Sequence, residues 1–257
     1  MSGRPRWGYV QARMQARHGE RLQEAEWRAI EAARSIDQFI ERARASPLRR
    51  FTARMNARMS SHAVERMLRE AWRGHVAEVA DWVPAPWRQA VLWTSLLPEL
   101  PIIDGLRGEA PDWLEQDPVF ADIVEMDRRQ RKLAAAIDSP LGVLVAPDAA
   151  GKALVARWYR HWRSLWPRRP ADKSALIDIA ATINAHVQRL DRAGTPEASA
   201  PYRGDLARGL ARMFRRHSGL PGAVFCHLAL VALDLERLRG DLIRRLLFET
   251  SHAREVA

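Results

Sequence analysis

A single cysteine in 257 residues excludes an internal disulfide and a four-cysteine zinc site. Cys226 lies inside an apolar run and reads as a packed thiol rather than a nucleophile. A reducing, cytoplasmic setting fits this usage. Long apolar stretches are missing as well. The two longest, near Ala90–Ile103 and Gly222–Leu233, are too short or too broken by Pro and Glu to span a bilayer. The opening "MSGRPRWGYVQARMQAR" has no apolar core of the kind a signal peptide needs. The expectation is a soluble protein, at most peripheral to a membrane.

Lysine is nearly absent. Of 41 basic residues only Lys132, Lys152 and Lys173 are lysines, and the net charge is +10. Residues 1–75 hold 16 Arg against 8 acids, residues 76–127 hold 2 against 11, and the rest hold 23 basic residues against 12 acids. An acidic segment between two basic ones can neutralise them within the fold, so the total overstates any affinity for nucleic acid.

Alternating apolar patterns, the mark of strands, are also scarce; only "LGVLVAP" at 141–147 reads as a short extended piece. The dominant period is helical. Val64, Met67, Leu68, Ala71, Trp72, Val76, Val79 and Val83 step by threes and fours, as do Ile30, Ala33, Ile36 and Phe39/Ile40. Leu176, Ile179, Ile183, Val187 and Leu190 repeat the pattern. The clearest stripe is Val224, Leu228, Val231, Leu235, Leu238, Leu242 and Leu246. Pro- and Gly-bearing breakers at 46–50, 83–87, 107–118, 138–142, 166–173, 192–204 and 217–222 divide the chain. The stretch 192–204 is the most linker-like and reads as a surface loop. The fold class is therefore all-α, with about eight or nine helices in a bundle or funnel. "ARMQAR", "ARMNAR" and "ARMFRR" at 12–17, 53–58 and 211–216 hint at repeated helical hairpins. The domain reading is one all-helical domain over 1–257, with repeat units near 1–108, 109–191 and 204–257.

Catalytic signatures are wanting. "GVLVAPDAAGKALVARW" at 142–158 has the outline of a phosphate-binding loop, but Ala146 replaces the first glycine, Pro147 has no N–H to donate, and Ala153 replaces the magnesium-binding hydroxyl. It reads instead as a loop capped by Asp148, with Gly151 and Lys152 opening a helix. "ARWYRHWRSLWPRR" at 156–169 interleaves basic and aromatic residues as a base-stacking surface would. Trp158, Trp162 and Trp166 nevertheless share one helical face, the spacing of a core or a protein contact. The eight histidines form no metal-binding spacing, so no metal or cofactor is implied. His227 reads as a satisfied core residue. Arg50, Arg54 and Arg58 line one helical face, with Arg13 and Arg17 similarly spaced, a docking stripe for an acidic partner or simply a solvated face.

The two ends of the chain carry a resemblance. "WGYVQARMQARHGERL" resembles the start of the C/d-type adaptor of archaeal and vacuolar-type rotary ATPases, a family that begins with a Tyr, an Ala-Arg pair and further basic residues running into a Leu; here these are Tyr9, Ala12, Arg13, Arg17 and Leu22. "AVFCHLALVALDLERLRGDLI" is similar to that family's closing helix, with Asp234 at its Glu position, Leu238 and Arg239 at its Leu-Arg pair, His227 at its aromatic position and Arg237 in place of its Asn. "LPELPIIDGLRG" at 97–108 echoes a further element, and the middle is shorter than the family norm. The resemblance implies a non-catalytic, all-helical subunit on the cytoplasmic side of a membrane rotor ring, receiving the central shaft. Its partners would be the shaft and ring subunits, with peripheral membrane contact and proton or sodium transport as the work of the whole machine. Tyr9, Arg13, Arg17, Arg50, Arg54, Arg58, Asp234 and Arg239 are the candidate partner-binding residues. The alternative is a basic helical nucleic-acid-binding module, and a weaker third reading is an enzyme using residues 142–158.

Overall fold

The computed structural model describes residues 4–105, 114, 117–120, 141–144, 152–167, 170–193 and 196–255. The described residues are helical, without strands, and nine helices have seven or more residues. In chain order they are α1 (Arg4–Gly19), α2 (Glu24–Glu31), α3 (Ile36–Arg44), the short α4 (Arg49–Thr52), α5 (Ser61–Trp82) and α6 (Ala85–Trp93). A 3-10 turn (Thr94–Glu99) leads into α7 (Leu100–Gly105), and then follow α8 (Lys152–Ser164), α9 (Pro170–Ala193), α10 (Pro196–Arg216) and α11 (Pro221–Glu255). No helix among the described residues is long and apolar enough to cross a membrane.

Local chemistry explains the boundaries. Ser35 and Ser60 cap α3 and α5, accepting the N–H of Gln38 at 3.3 Å and of Ala63 at 3.2 Å. Ahead of α2, the Glu26 carboxylate accepts the Gln23 N–H at 2.6 Å. Pro84 stops α5, because a proline supplies no N–H to continue the ladder. Gly219, at φ +75°, makes the turn into α11, a backbone conformation costly to any residue with a Cβ.

Three sequence expectations are corrected. The Ile30–Ile40 stripe is not one helix: it is split between α2 and α3 by the Ser35 cap, although Ile30, Ala33, Ile36, Phe39 and Ile40 all stay buried. The expected loop at 192–204 is mostly helix. Here α9 runs to Ala193 and α10 starts at Pro196, where a first-turn proline has no helical N–H to lose, and it carries Pro201 inside. The extended piece at 141–147 is, over 141–144, a turn in which Leu144 donates to the Leu141 carbonyl at 2.7 Å. Both leucines are buried; three residues apart, they would face opposite sides of a strand.

The chain forms two compact units, residues 1–88 with 167–257, and residues 89–166. The division falls at positions other than the repeat boundaries near 108, 191 and 204. In the first unit α11 is the central helix, packed by α1, α3, α5, α9 and α10. Every residue from Pro221 to Leu228 is buried, and the expected stripe from Val224 to Leu246 faces inward throughout. Val64, Leu68, Trp72, Val76 and Val79 bury the matching face of α5. The stripe on α9 holds only at its start: Leu176 and Ile179 are buried, whereas Val187 is 47% exposed.

The second unit is built on tryptophan. Trp158, Trp162 and Trp166 are buried, as their spacing predicts for a core face. Trp158 stacks on Trp162 at 5.7 Å between ring centroids, and Trp162 meets Trp166 edge-on at 4.8 Å. Trp93 and Trp158 exchange hydrogen bonds: each indole N–H donates to the other's main-chain carbonyl, at 3.2 and 3.3 Å. Trp162 donates to the Ala90 carbonyl at 3.0 Å. Most buried indole N–H groups here thus have partners, which lets bulky rings serve as core without a polar penalty.

Candidate functional site

A buried grouping of titratable side chains lies where α1, α5 and α11 meet, within the first unit. His75 occupies the buried face of α5 between Trp72 and Val79, and His227 occupies the fully buried start of α11. Their rings meet edge-on, with centroids 5.2 Å apart and planes at 62°. Neither nitrogen of either ring has a hydrogen-bond partner. The Glu78 carboxylate approaches His75 Nδ1 only to 3.8 Å. His227 is thus a core residue as expected, but not a satisfied one.

Electrostatics keep both rings neutral. Burial, then the charges of Arg50 and Arg17, push His75 down to about 3 from the ordinary 6.5. His227 lies well below its ordinary value, through burial first and then His75, Arg50, His18 and Arg21. His18 on α1, stacked on Phe214 at 4.5 Å, is lowered by burial and by Arg21 and Arg215, with Asp234 opposing.

Arginines surround this pair. Arg21, just past α1, grips Asp234 of α11 with Nε to Oδ2 and Nη2 to Oδ1, both at 2.7 Å. Arg17 donates to Glu78 at 2.8 Å and to Glu20 at 3.3 Å. Arg50 stacks its guanidinium over the Phe51 ring at 4.4 Å, and burial followed by Arg17 lowers its pKa.

The structure gathers some of the expected partner-binding residues and scatters others. Arg17 and Arg50 act on the histidine pair, and Asp234 acts on the neighbouring His18. Tyr9 is 50% exposed on α1, accepts Arg13 Nε at 2.9 Å, and Arg13 also lies over the Trp82 ring at 5.6 Å. Arg54 reaches Glu70 at 3.4 Å, and Arg239 of α11 reaches Glu65 of α5 at 2.7 Å. Arg50, Arg54 and Arg58 do not share a helical face. Only Arg50 is in α4, which ends at Thr52; Ala53 to Met59 is turn and coil, bent so that Met55 is fully buried. Arg58 stands in that turn, its backbone N–H on Asn56 Oδ1 at 3.0 Å.

Sequence reasoning missed Arg21, His75, Arg237 and Arg245. Arg237 binds Glu24 and Glu31, at 2.7 and 2.5 Å, and covers the Trp27 ring at 4.8 Å. Arg245 donates to the Glu31 carbonyl at 2.7 Å and lies over Phe39 at 4.4 Å. His75 had a readable signal, a polar residue in the middle of an apolar stripe. Arg21 had none, because its partner is 213 residues away.

The one thiol, Cys226, is raised to about 12 by burial, so it is protonated and unreactive at neutral pH. Among the described residues, no group of three His, Cys, Asp or Glu is placed to hold a metal ion. Residues 145–151 of the loop at 142–158 lie outside the described residues; α8 opens at Lys152, as expected. On the outer surface, α11 presents a shallow groove lined by Arg239, Gly240, Ile243, Arg244, Leu247 and Phe248, with Leu247 and Phe248 59% and 65% exposed.

No family model, curated protein or solved structure matches this chain.

Proposed function

We propose that the chain is a non-catalytic helical coupling piece of a V-type rotary machine, linking a central shaft to a membrane rotor ring. The observation that carries this reading is the Arg21–Asp234 pair. The resemblance to the C/d-type adaptor family rests on the two ends of the chain, and this pair ties those ends together inside one compact unit. A coupling piece needs large packed faces joined firmly at few points. The first unit offers a central 35-residue helix held to α2, α5 and the turn after α1 by charge-assisted arginine bonds. The exposed Leu247 and Phe248, flanked by Arg239 and Arg244, supply an apolar surface of the kind proteins bury against partners.

The nucleic-acid reading draws no support from this arrangement. Trp158, Trp162 and Trp166 are interior and cannot stack on bases, and Arg17, Arg21, Arg54, Arg237 and Arg239 engage carboxylates of the chain itself.

The test is affinity purification of the tagged chain from its native cells. Shaft or ring subunits should be recovered, and a Leu247→Ser/Phe248→Ser variant with unchanged helicity should recover less. A tagged chain that repeatedly returns neither of them overturns the reading.

A further inference from the structure

A buried imidazole without a hydrogen bond is unusual, because burying a polar group unpaired costs free energy. Two such rings in edge contact, on two different helices, form an arrangement that a core of ordinary apolar residues would fill more cheaply. A pair of neutral imidazoles differs from such a core in one respect: each ring can take up a proton. We infer that His75 and His227 form an acid-sensitive latch, holding α5 against α11 while both are neutral and releasing that seam when they are protonated.

The surroundings set the direction. Facing the pair are Arg17 and His18 from α1, Arg21 from the turn after it, Arg50 from α4 and Glu78 from α5; Asp234 of α11 and Arg215 of α10 act on His18. Both acids already carry a guanidinium, Glu78 through Oε1 by Arg17 and Asp234 by Arg21, and the remaining Glu78 Oε2 stands 3.8 Å from His75 Nδ1, beyond hydrogen-bond distance. Arg50 brings positive charge and rests on an aromatic face. A proton on either ring would therefore meet the other ring, desolvation and a basic collar. Opening the seam lets both rings reach water. The sign follows: folded values lie below the unfolded 6.5, so the opened form binds more protons. Stability is complete above the unfolded value and falls as pH drops through it toward about 3.

The experiment is an acid titration of the full chain with ¹⁵N-labelled histidine, read by side-chain nitrogen shifts and amide exchange. His75 and His227 should stay neutral as the pH falls through the ordinary imidazole range. They should then protonate together with loss of amide protection in α5 and α11, with roughly two protons taken up per opening. In a His75→Phe/His227→Phe variant the acid midpoint should move down by about one pH unit, with that uptake lost. Asp234→Asn, which weakens the neighbouring Arg21 contact to α11 and leaves both imidazoles in place, should keep the two-proton uptake. Should the double variant not fold, His75→Asn alone should lose about half the uptake. Titration of either ring near 6.5 in the intact fold overturns the latch, and so does a folded variant with an unchanged midpoint and uptake.

Discussion

Arg21 meets Asp234 side-on, two parallel N–H···O bonds of 2.7 Å joining the turn after α1 to the middle of α11. Both side chains are largely withdrawn from solvent, at 17% and 14% exposure. A bidentate pair this sheltered differs from a surface ion pair, because removing one partner strands the other's charge. Asp234→Ala should cost about 2–4 kcal/mol of unfolding free energy, measured by urea denaturation at neutral pH. A loss below ~1 kcal/mol would mean that solvent screens the pair as it does an exposed one.

The helical stripes were legible because burial imposes a period that the sequence carries openly. Val224 to Leu246 and the tryptophans of α8 are examples, each facing inward as its spacing requires. The stripe from Ile30 to Ile40 misled because inward-facing residues on two consecutive short helices keep nearly the same rhythm as one long helix. Arg50, Arg54 and Arg58 misled for a related reason: i, i+4 spacing defines a face only where the backbone is helical, and burying Met55 ends α4 first. At the junction of α1, α5 and α11, Asp234 could be picked out, whereas its meeting with Arg21 is a tertiary event without local signature. The His75–His227 contact is of the same kind.

Cys226 provides an internal probe of this core. It neighbours His227 in the buried first turns of α11, and burial raises its pKa to about 12. A neutral thiol screened from solvent is neither nucleophilic nor reachable. In the folded protein at about pH 8 a thiol reagent should therefore label it only through opening of α11, orders of magnitude more slowly than in urea. Because the chain has one cysteine, the stoichiometry is unambiguous. Rapid labelling of folded protein would show that the start of α11 is not a stable core.

The exchange between Trp93 and Trp158 predicts a graded response. Trp158→Phe keeps a ring but deletes one of the two reciprocal N–H···O bonds and should cost about 1–2 kcal/mol. Trp162→Ala removes a ring in contact with both Trp158 and Trp166 and should cost about 3–5 kcal/mol. Hydrogen exchange along α8 is the suitable readout, since ten tryptophans make bulk fluorescence hard to apportion.

Two glycines of α11 should respond in opposite directions to the same methyl group. At Gly222 an added Cβ would sit 3.0 Å from the Ala175 Cβ on α9 and 3.1 Å from the His217 ring, both tighter than comfortable van der Waals contact. Ala175 Cβ is fixed to backbone, so α9 and α11 must separate slightly, and Gly222→Ala should destabilise by about 1–3 kcal/mol. At Gly240 nothing lies within 4 Å of the built Cβ, and the residue is in the helix interior. There the substitution removes backbone freedom from the unfolded chain without a clash, so Gly240→Ala should stabilise by about 0.5–1 kcal/mol. Paired urea denaturation curves of the two variants separate these effects by sign. The Gly240 substitution also adds a methyl to the floor of the groove formed by Ile243, Leu247 and Phe248. A more stable variant that captures less partner would place the docking surface there, while unchanged capture would move it elsewhere on the molecule.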